Sequence, residues 1–391
     1  MRVFIVGAGA VGSIMAEMLG REFGKKNVRC GDRDPARARR FMSGEIVRVD
    51  ASRTKDVARA AKGADLVINA GLPDFNLNVM AAALAAGAHY QDLCSRLEDL
   101  RHAEQLRLHG QFRKAGRVAL FNTGVAPGLT NLLAAELAAG LDRTRAIRIR
   151  LLEEQDADEP VMSWSPRVIV DEMASPPLVY EKGRFGNVKP FSGAETFVFP
   201  RPFGPRRVVA VYGDEVATIP LYLKVGDVDM KCGGTDITFG ESLFAAGLLG
   251  STPVKIGGQS IRPRDLLEAV APKVPTPAEM RRLIRQGKVR NSWLVAAVEA
   301  EGTLGGRRAT RTVTAVFPDL RQVMRLHAGA TYVSYPTALC AAAFSKTIPG
   351  LRTPGAIPPE ALEGAVRKTV LRELKGAGVR FVRRESKRGK E

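Results

Sequence analysis

Residues 3–12 read Val3-Phe4-Ile5-Val6-Gly7-Ala8-Gly9-Ala10-Val11-Gly12, and residues 13–23 continue as SIMAEMLGREF with apolar positions at helical spacing. An apolar β-branched run, a glycine turn and then a helix is the context in which G-x-G-x-x-G signals a dinucleotide site. Gly7 suits the tight turn, Gly9 lets the backbone approach a pyrophosphate, and Gly12 lets the helix pack on the strand. Ala10 and Val11 lead into the helix N-terminus, whose free N–H groups and partial positive charge face the phosphates. Glycine is common here, 39 of 391 residues, so the position of the triplet after a first strand gives it its weight.

The next strand, residues 28–31, ends in Asp32, where an acid suits the ribose hydroxyls and repels a 2′-phosphate. That points to NAD. Arg33 follows directly, with Arg37, Arg39 and Arg40 close by. These arginines either face solvent or receive a 2′-phosphate, so NADP stays open. The alternation then continues. Strands are expected at 45–49, 65–69, 89–92 and 118–121, and helices at 55–62, 76–86 and 97–115. Strands alternating with helices predict a Rossmann-type, doubly wound parallel sheet with ligands at the carboxyl ends of its strands. Gly71, Leu72, Pro73, Asp92 and Gly124 join the glycine turn and Asp32 around that crevice.

A chain of 391 residues is expected to hold two domains. From Gly124 the texture changes. Strands are expected at 145–152, 208–211, 221–223 and 309–316, with helices at 264–270 and 278–286, giving a second α/β domain with a mostly antiparallel sheet. From Tyr332 the chain returns to alanine-rich helix, and a last helix is expected at 362–375. No apolar stretch reaches membrane-spanning length, no leader-like segment precedes the first strand, and the four cysteines form no C-x-x-C pair. These features predict a cytoplasmic protein without zinc. The net charge of +18 is spread along the chain and lacks an aromatic-plus-basic pattern, which argues against specific nucleic-acid binding.

Four segments carry a more specific signal: Val125-Ala126-Pro127-Gly128-Leu129-Thr130-Asn131, Ser163-Trp164-Ser165-Pro166-Arg167, residues 178–191 with Tyr180, Gly183 and Pro190, and Gly355-Ala356-Ile357-Pro358-Pro359-Glu360. In this order they resemble the saccharopine dehydrogenase family over nearly the whole chain. The resemblance implies a dinucleotide domain (1–125 plus 333–382) interrupted by a substrate-binding and dimerisation domain (126–332), and a homodimer. The basic run 383–391 has no apolar residue to bury and is expected to be disordered. Ala126 stands where the family's saccharopine enzymes carry Asp, a departure that looks more like lysine 6-dehydrogenases.

The activity implied is NAD(P)-dependent oxidation at CH-NH or CH-NH2 of a lysine-type amino acid, saccharopine or L-lysine, followed by imine hydrolysis. Reductive condensation in carboxylated polyamine synthesis is an alternative. A non-catalytic NAD-binding sensor is another. The chemistry needs a base, for which Asp92 and Glu153 are candidates. Asp92 also fits a ribose contact or a structural acid, and Glu153 fits a charged loop. Arg167 is suited to a substrate carboxylate and Trp164 to an apolar wall. Thr130 and Asn131 are placed to bind polar substrate groups or to cap their helix, and Tyr335 to close the cleft or to fill the core.

Overall fold

The computed structural model describes residues 1–96 and 98–387. Its first sheet has seven strands in the spatial order Gly355–Ile357, Val118–Leu120, His89–Asp92, Leu66–Asn69, Val3–Val6, Val28–Asp32 and Ile46–Arg48. Every pairing in it is parallel. The central strands Val3–Val6 and Leu66–Asn69 are buried along their whole length, because helices cover both faces and leave no side for polar alternation. The strand order reverses between these two, which opens a crevice at their carboxyl ends. The helix Ser334–Thr347 packs against Gly12–Phe23, and Gly355–Ile357 then closes the sheet beside Val118–Leu120.

The second sheet is mixed. Its main path runs Glu195–Val198, Pro205–Ala210, Asp227–Gly233, Arg143–Ala157, Val289–Leu304, Arg307–Val316 and Arg380–Lys387, and the hairpin Leu178–Glu181/Arg184–Asn187 attaches to Asp227–Gly233. Only Asp227–Gly233 with Arg143–Ala157 pairs in parallel. Arg150 is buried in this sheet at 1% exposure. It donates two hydrogen bonds to Asp229, at 2.9 and 3.1 Å, and one to Glu195 at 2.6 Å. Among the described residues no helix is long and apolar enough to cross a membrane.

Three expectations need correction. Residues 221–223 are not a strand, since the helix Glu215–Tyr222 buries Val216, Ala217 and Ile219 and turns Leu221 outward. A three-residue apolar run carries no period that separates the two states. The helix expected at 97–115 is broken, with Leu97 itself outside the described residues. Asp99 accepts the Arg101 N–H, and Glu104 accepts the Arg96 N–H, holding a turn before the short helices Glu104–Leu108 and His109–Lys114. The basic tail is not disordered as far as it is described. Arg380–Lys387 pairs antiparallel with Arg307–Val316, so residues 380–382 leave the first sheet for the second. Backbone pairing along an open edge needs no apolar side chains beyond its anchor, here Phe381 packed on the core. Residues 388–391 lie outside the described residues.

Candidate active site

A cleft of about 880 Å³ lies between the two sheets. One wall is the glycine turn. Gly7 has φ +96°, and a Cβ there would stand 2.7 Å from the Gly71 nitrogen. A Cβ on Gly12 would stand 1.9 Å from the Gly7 carbonyl oxygen, so helix and strand meet backbone to backbone. A Cβ on Gly9 would have nothing within 4 Å, and Gly9 lines the cleft. That open position at the N-terminus of Gly12–Phe23, where the Ser13 N–H already reaches the Gly9 carbonyl oxygen at 3.0 Å, fits a dinucleotide pyrophosphate drawn to the positive end of the helix.

Asp32 lines the same wall. Its Oδ2 accepts the Ala8 N–H at 2.9 Å and its Oδ1 accepts the Asp34 N–H at 2.9 Å, so the carboxylate ties the glycine turn to the second strand. Arg37 lines the cleft, whereas Arg33 is exposed and does not. Ala10, Val11, Gly71, Leu72, Pro73 and Gly124 all line it. The Gly71 N–H is held at 3.0 Å by the Asn69 side chain. Gly128, at φ +132°, would carry a Cβ 2.2 Å from the Gly124 carbonyl oxygen, which explains the Pro-Gly step at this crossing between domains.

Besides Arg33 and Gly12, four predicted site residues do not line the cleft. Asp92 is 1% exposed, and its carboxylate accepts the Asn122 N–H, the Tyr90 hydroxyl and the Gln105 amide at 2.7, 2.9 and 2.9 Å. Burial pushes its pKa up to about 7. The period of two puts Asp92 on the face of Tyr90, under the helices, while the following Leu93, Cys94 and Ser95 line the cleft. Thr130 is buried and donates to Glu215 at 2.6 Å. Asn131 accepts the Gly128 N–H at 2.9 Å as a helix cap and donates to Thr218 at 3.2 Å. Tyr335 is buried in its helix, away from the cleft lining.

The opposite wall comes from the second sheet and the helix Pro166–Ala174. It brings together Glu153, Trp164 and Arg167. Arg167 donates to Asp74 of the first domain at 2.9 Å and spans the mouth. Glu153 has no hydrogen-bond or ion-pair partner among the described residues. Burial, reinforced by the charge of Asp236, pushes its pKa up to about 8. Glu172 and Asp214 line the cleft as well and are held well above the usual carboxylate range, first by burial and then by neighbouring acids. Sequence reading missed both. Glu172 lies one helical turn beyond Val168, another lining residue, and Asp214 follows a strand end, signals too common to single out either.

The chain matches the family model for the saccharopine dehydrogenase NADP binding domain over residues 3–120 and that for the saccharopine dehydrogenase C-terminal domain over residues 124–379. A carboxyaminopropylagmatine dehydrogenase from Synechocystis sp. is 25% identical over 299 residues, covering 71% of this chain and 74% of that protein. A carboxynorspermidine synthase from Vibrio cholerae is 25% identical over 221 residues, covering 53% of each. In fold, homospermidine synthase from Legionella pneumophila, solved with NAD, superposes with a TM-score of 0.71 at 12% identity, covering 98% of this chain and 91% of that one. Saccharopine dehydrogenase (L-Glu forming) from Saccharomyces cerevisiae gives 0.67 at 14% identity, covering 98% and 99%.

Proposed function

This chain belongs to the saccharopine dehydrogenase family, and from that premise we propose an NAD(P)-dependent oxidoreductase that joins a carbonyl compound to a polyamine-type amine through a new C–N bond, or reverses that reaction. The observation that carries the reading is Glu153, an unpartnered carboxyl with a pKa of about 8 in the cleft that also holds the glycine turn. The two relatives named above, a carboxyaminopropylagmatine dehydrogenase and a carboxynorspermidine synthase, support a polyamine over a lysine-type substrate.

The amine nitrogen attacks the carbonyl carbon and its proton moves to the oxygen, giving a carbinolamine. Glu153, protonated near neutral pH, gives its proton to the hydroxyl, which leaves as water and generates an iminium. A dinucleotide held at the glycine turn and Asp32 would supply the hydride that makes the secondary amine. Glu153 then takes a proton from solvent. In reverse, the carboxylate accepts a proton from the water that attacks the iminium. Arg167 and Arg264, both on the cleft, suit a carboxylate on the carbonyl partner, and Trp164 walls its carbon chain. The same reading makes the protein a cytoplasmic homodimer, which light scattering tests for assembly.

The test incubates the protein with NADH or NADPH, an α-amino-acid aldehyde and a panel of diamines, and follows dinucleotide absorbance and product mass. Lysine and saccharopine with NAD or NADP are parallel arms. A secondary amine at the summed mass minus water plus two hydrogens is expected. Turnover only with lysine or saccharopine would replace the polyamine reading, and turnover in no arm would overturn the proposal.

A further inference from the structure

Two loops of the first domain line the cleft beyond the glycine turn, residues 71–74 after the strand Leu66–Asn69 and residues 93–96 after His89–Asp92. Behind them, Asn69, Asn76 and Glu104 are buried polar side chains without a task in the mechanism above. Asn69 accepts the Gly71 N–H at 3.0 Å and donates to the Leu72 carbonyl at 3.1 Å, which fixes the first loop. Glu104 accepts the Arg96 N–H through both oxygens, at 3.1 and 3.0 Å, which fixes the second. Asn76 joins the two. Its nitrogen donates to the Cys94 carbonyl at 2.9 Å and to Glu104 at 2.8 Å, and its oxygen accepts from Asn69 at 2.7 Å. A backbone carbonyl can only accept, so the Asn76 amide has one orientation here.

We propose that Asn76 and Glu104 are positioning residues, which hold the loops 71–74 and 93–96 at one fixed spacing beside the cofactor crevice. This rests on the functional reading above and names side chains that act on its hydride step from behind the cleft wall. The sheet order puts Val28–Asp32 on one side of Val3–Val6, and Leu66–Asn69 and His89–Asp92 on the other. A dinucleotide lies across such a switch point with its adenosine half on the side of the acid. Its nicotinamide half then falls on the side of these two loops. The pyrophosphate contacts belong to the glycine turn, so binding strength and placement of the reacting carbon come from different elements. A bond lost among the buried side chains leaves a group unpaired and releases the loop it held. A misplacement of about 1 Å costs about a hundredfold in rate.

The test uses Glu104→Met, which removes the acceptors at similar volume, Asn76→Ala, and Glu104→Gln. The last keeps one oxygen, and Oε1 of Glu104 already accepts from both Asn76 and Arg96. Fluorescence titration with NADPH and NADH gives Kd, and steady-state turnover gives kcat. Glu104→Met and Asn76→Ala should lower kcat about tenfold or more while Kd changes less than about threefold. Glu104→Gln should stay within about threefold of wild type in both. Native-state hydrogen exchange of wild type needs neither turnover nor a variant. The Gly71 and Arg96 amides should share one protection factor within about tenfold, as parts of one opening unit, and Asn76→Ala should speed both together. An unchanged kcat in Glu104→Met and Asn76→Ala, a Kd that worsens as much as kcat, or a Glu104→Gln variant as impaired as Glu104→Met would each overturn the proposal. So would wild-type protection of the two amides differing by more than about tenfold, which decides the matter even if a variant fails to fold. Absence of turnover in wild type with shared protection retained would strike the functional reading alone.

Discussion

Replacing Glu153 by Gln should stabilise the protein, and by more as the pH rises. The carboxyl has its pKa pushed from 4.5 to about 8. At about 1.36 kcal/mol per pH unit, the interval corresponds to about 5 kcal/mol. Partial exposure to the cleft screens the charge, and about 2–4 kcal/mol is a fairer expectation. The sign follows from linkage. An acid whose folded pKa is raised leaves stability intact below its unfolded value of 4.5, and that stability is lost as the pH climbs through the folded value of about 8. Gln keeps the shape and cannot ionise. Urea unfolding of wild type and variant at about pH 5 and about pH 9 reads the effect as a midpoint shift at constant slope. The variant should gain less than about 1 kcal/mol at the lower pH and about 2–4 kcal/mol at the higher. Equal gains at both values, or none, would refute the claim that Glu153 is ionised against a desolvation cost. The same variant should lose about a hundredfold or more in kcat, as expected when a general acid is removed.

Other expectations follow from single contacts. Gly9→Val should fold with an unchanged melting temperature, because nothing stands within 4 Å of a Cβ there, yet bind NADH about tenfold or more weakly in a fluorescence titration. Gly12→Ala should instead destabilise the fold itself, since its Cβ would stand 1.9 Å from the Gly7 carbonyl oxygen, and thermal unfolding distinguishes the two. Arg150→Leu should cost about 3–5 kcal/mol in denaturant unfolding, because Asp229 and Glu195 would keep their charges and lose their buried partner. Arg167→Ala should change stability by less than about 1 kcal/mol, its pair with Asp74 being partly exposed, and should raise the KM of a carboxylate-bearing carbonyl substrate in steady-state assays.

The cofactor wall was legible because each of its residues answers a local demand. Gly7 and Gly12 meet backbone, Gly9 meets open space, and Asp32 ends its strand. Trp164 and Arg167 were legible through a motif and do line the cleft. Asp92, Thr130, Asn131 and Tyr335 sit in equally suggestive segments but turn inward, and the face a side chain takes at a strand end or helix start depends on what packs there. Asp92 is claimed by Gln105 and Thr130 by Glu215, partners that no spacing rule connects. Glu172 and Asp214 went unseen for the same reason. They join Glu153 in the lining of one cleft only because elements far apart in the chain meet there. The terminal strand was missed because edge pairing draws on backbone groups, which a composition rich in arginine does not reveal.

The late segments have a consequence for how the molecule is made. Gly355–Ile357 completes the edge of the cofactor sheet and Arg380–Lys387 completes that of the other sheet. On the ribosome, the glycine turn emerges long before its sheet is complete, because the strand Gly355–Ile357 is synthesised after the whole intervening domain. Such non-local pairing slows folding and lengthens the time for which the Val118–Leu120 edge stands open. Nascent chains halted before residue 355 should therefore be the aggregation-prone species during synthesis.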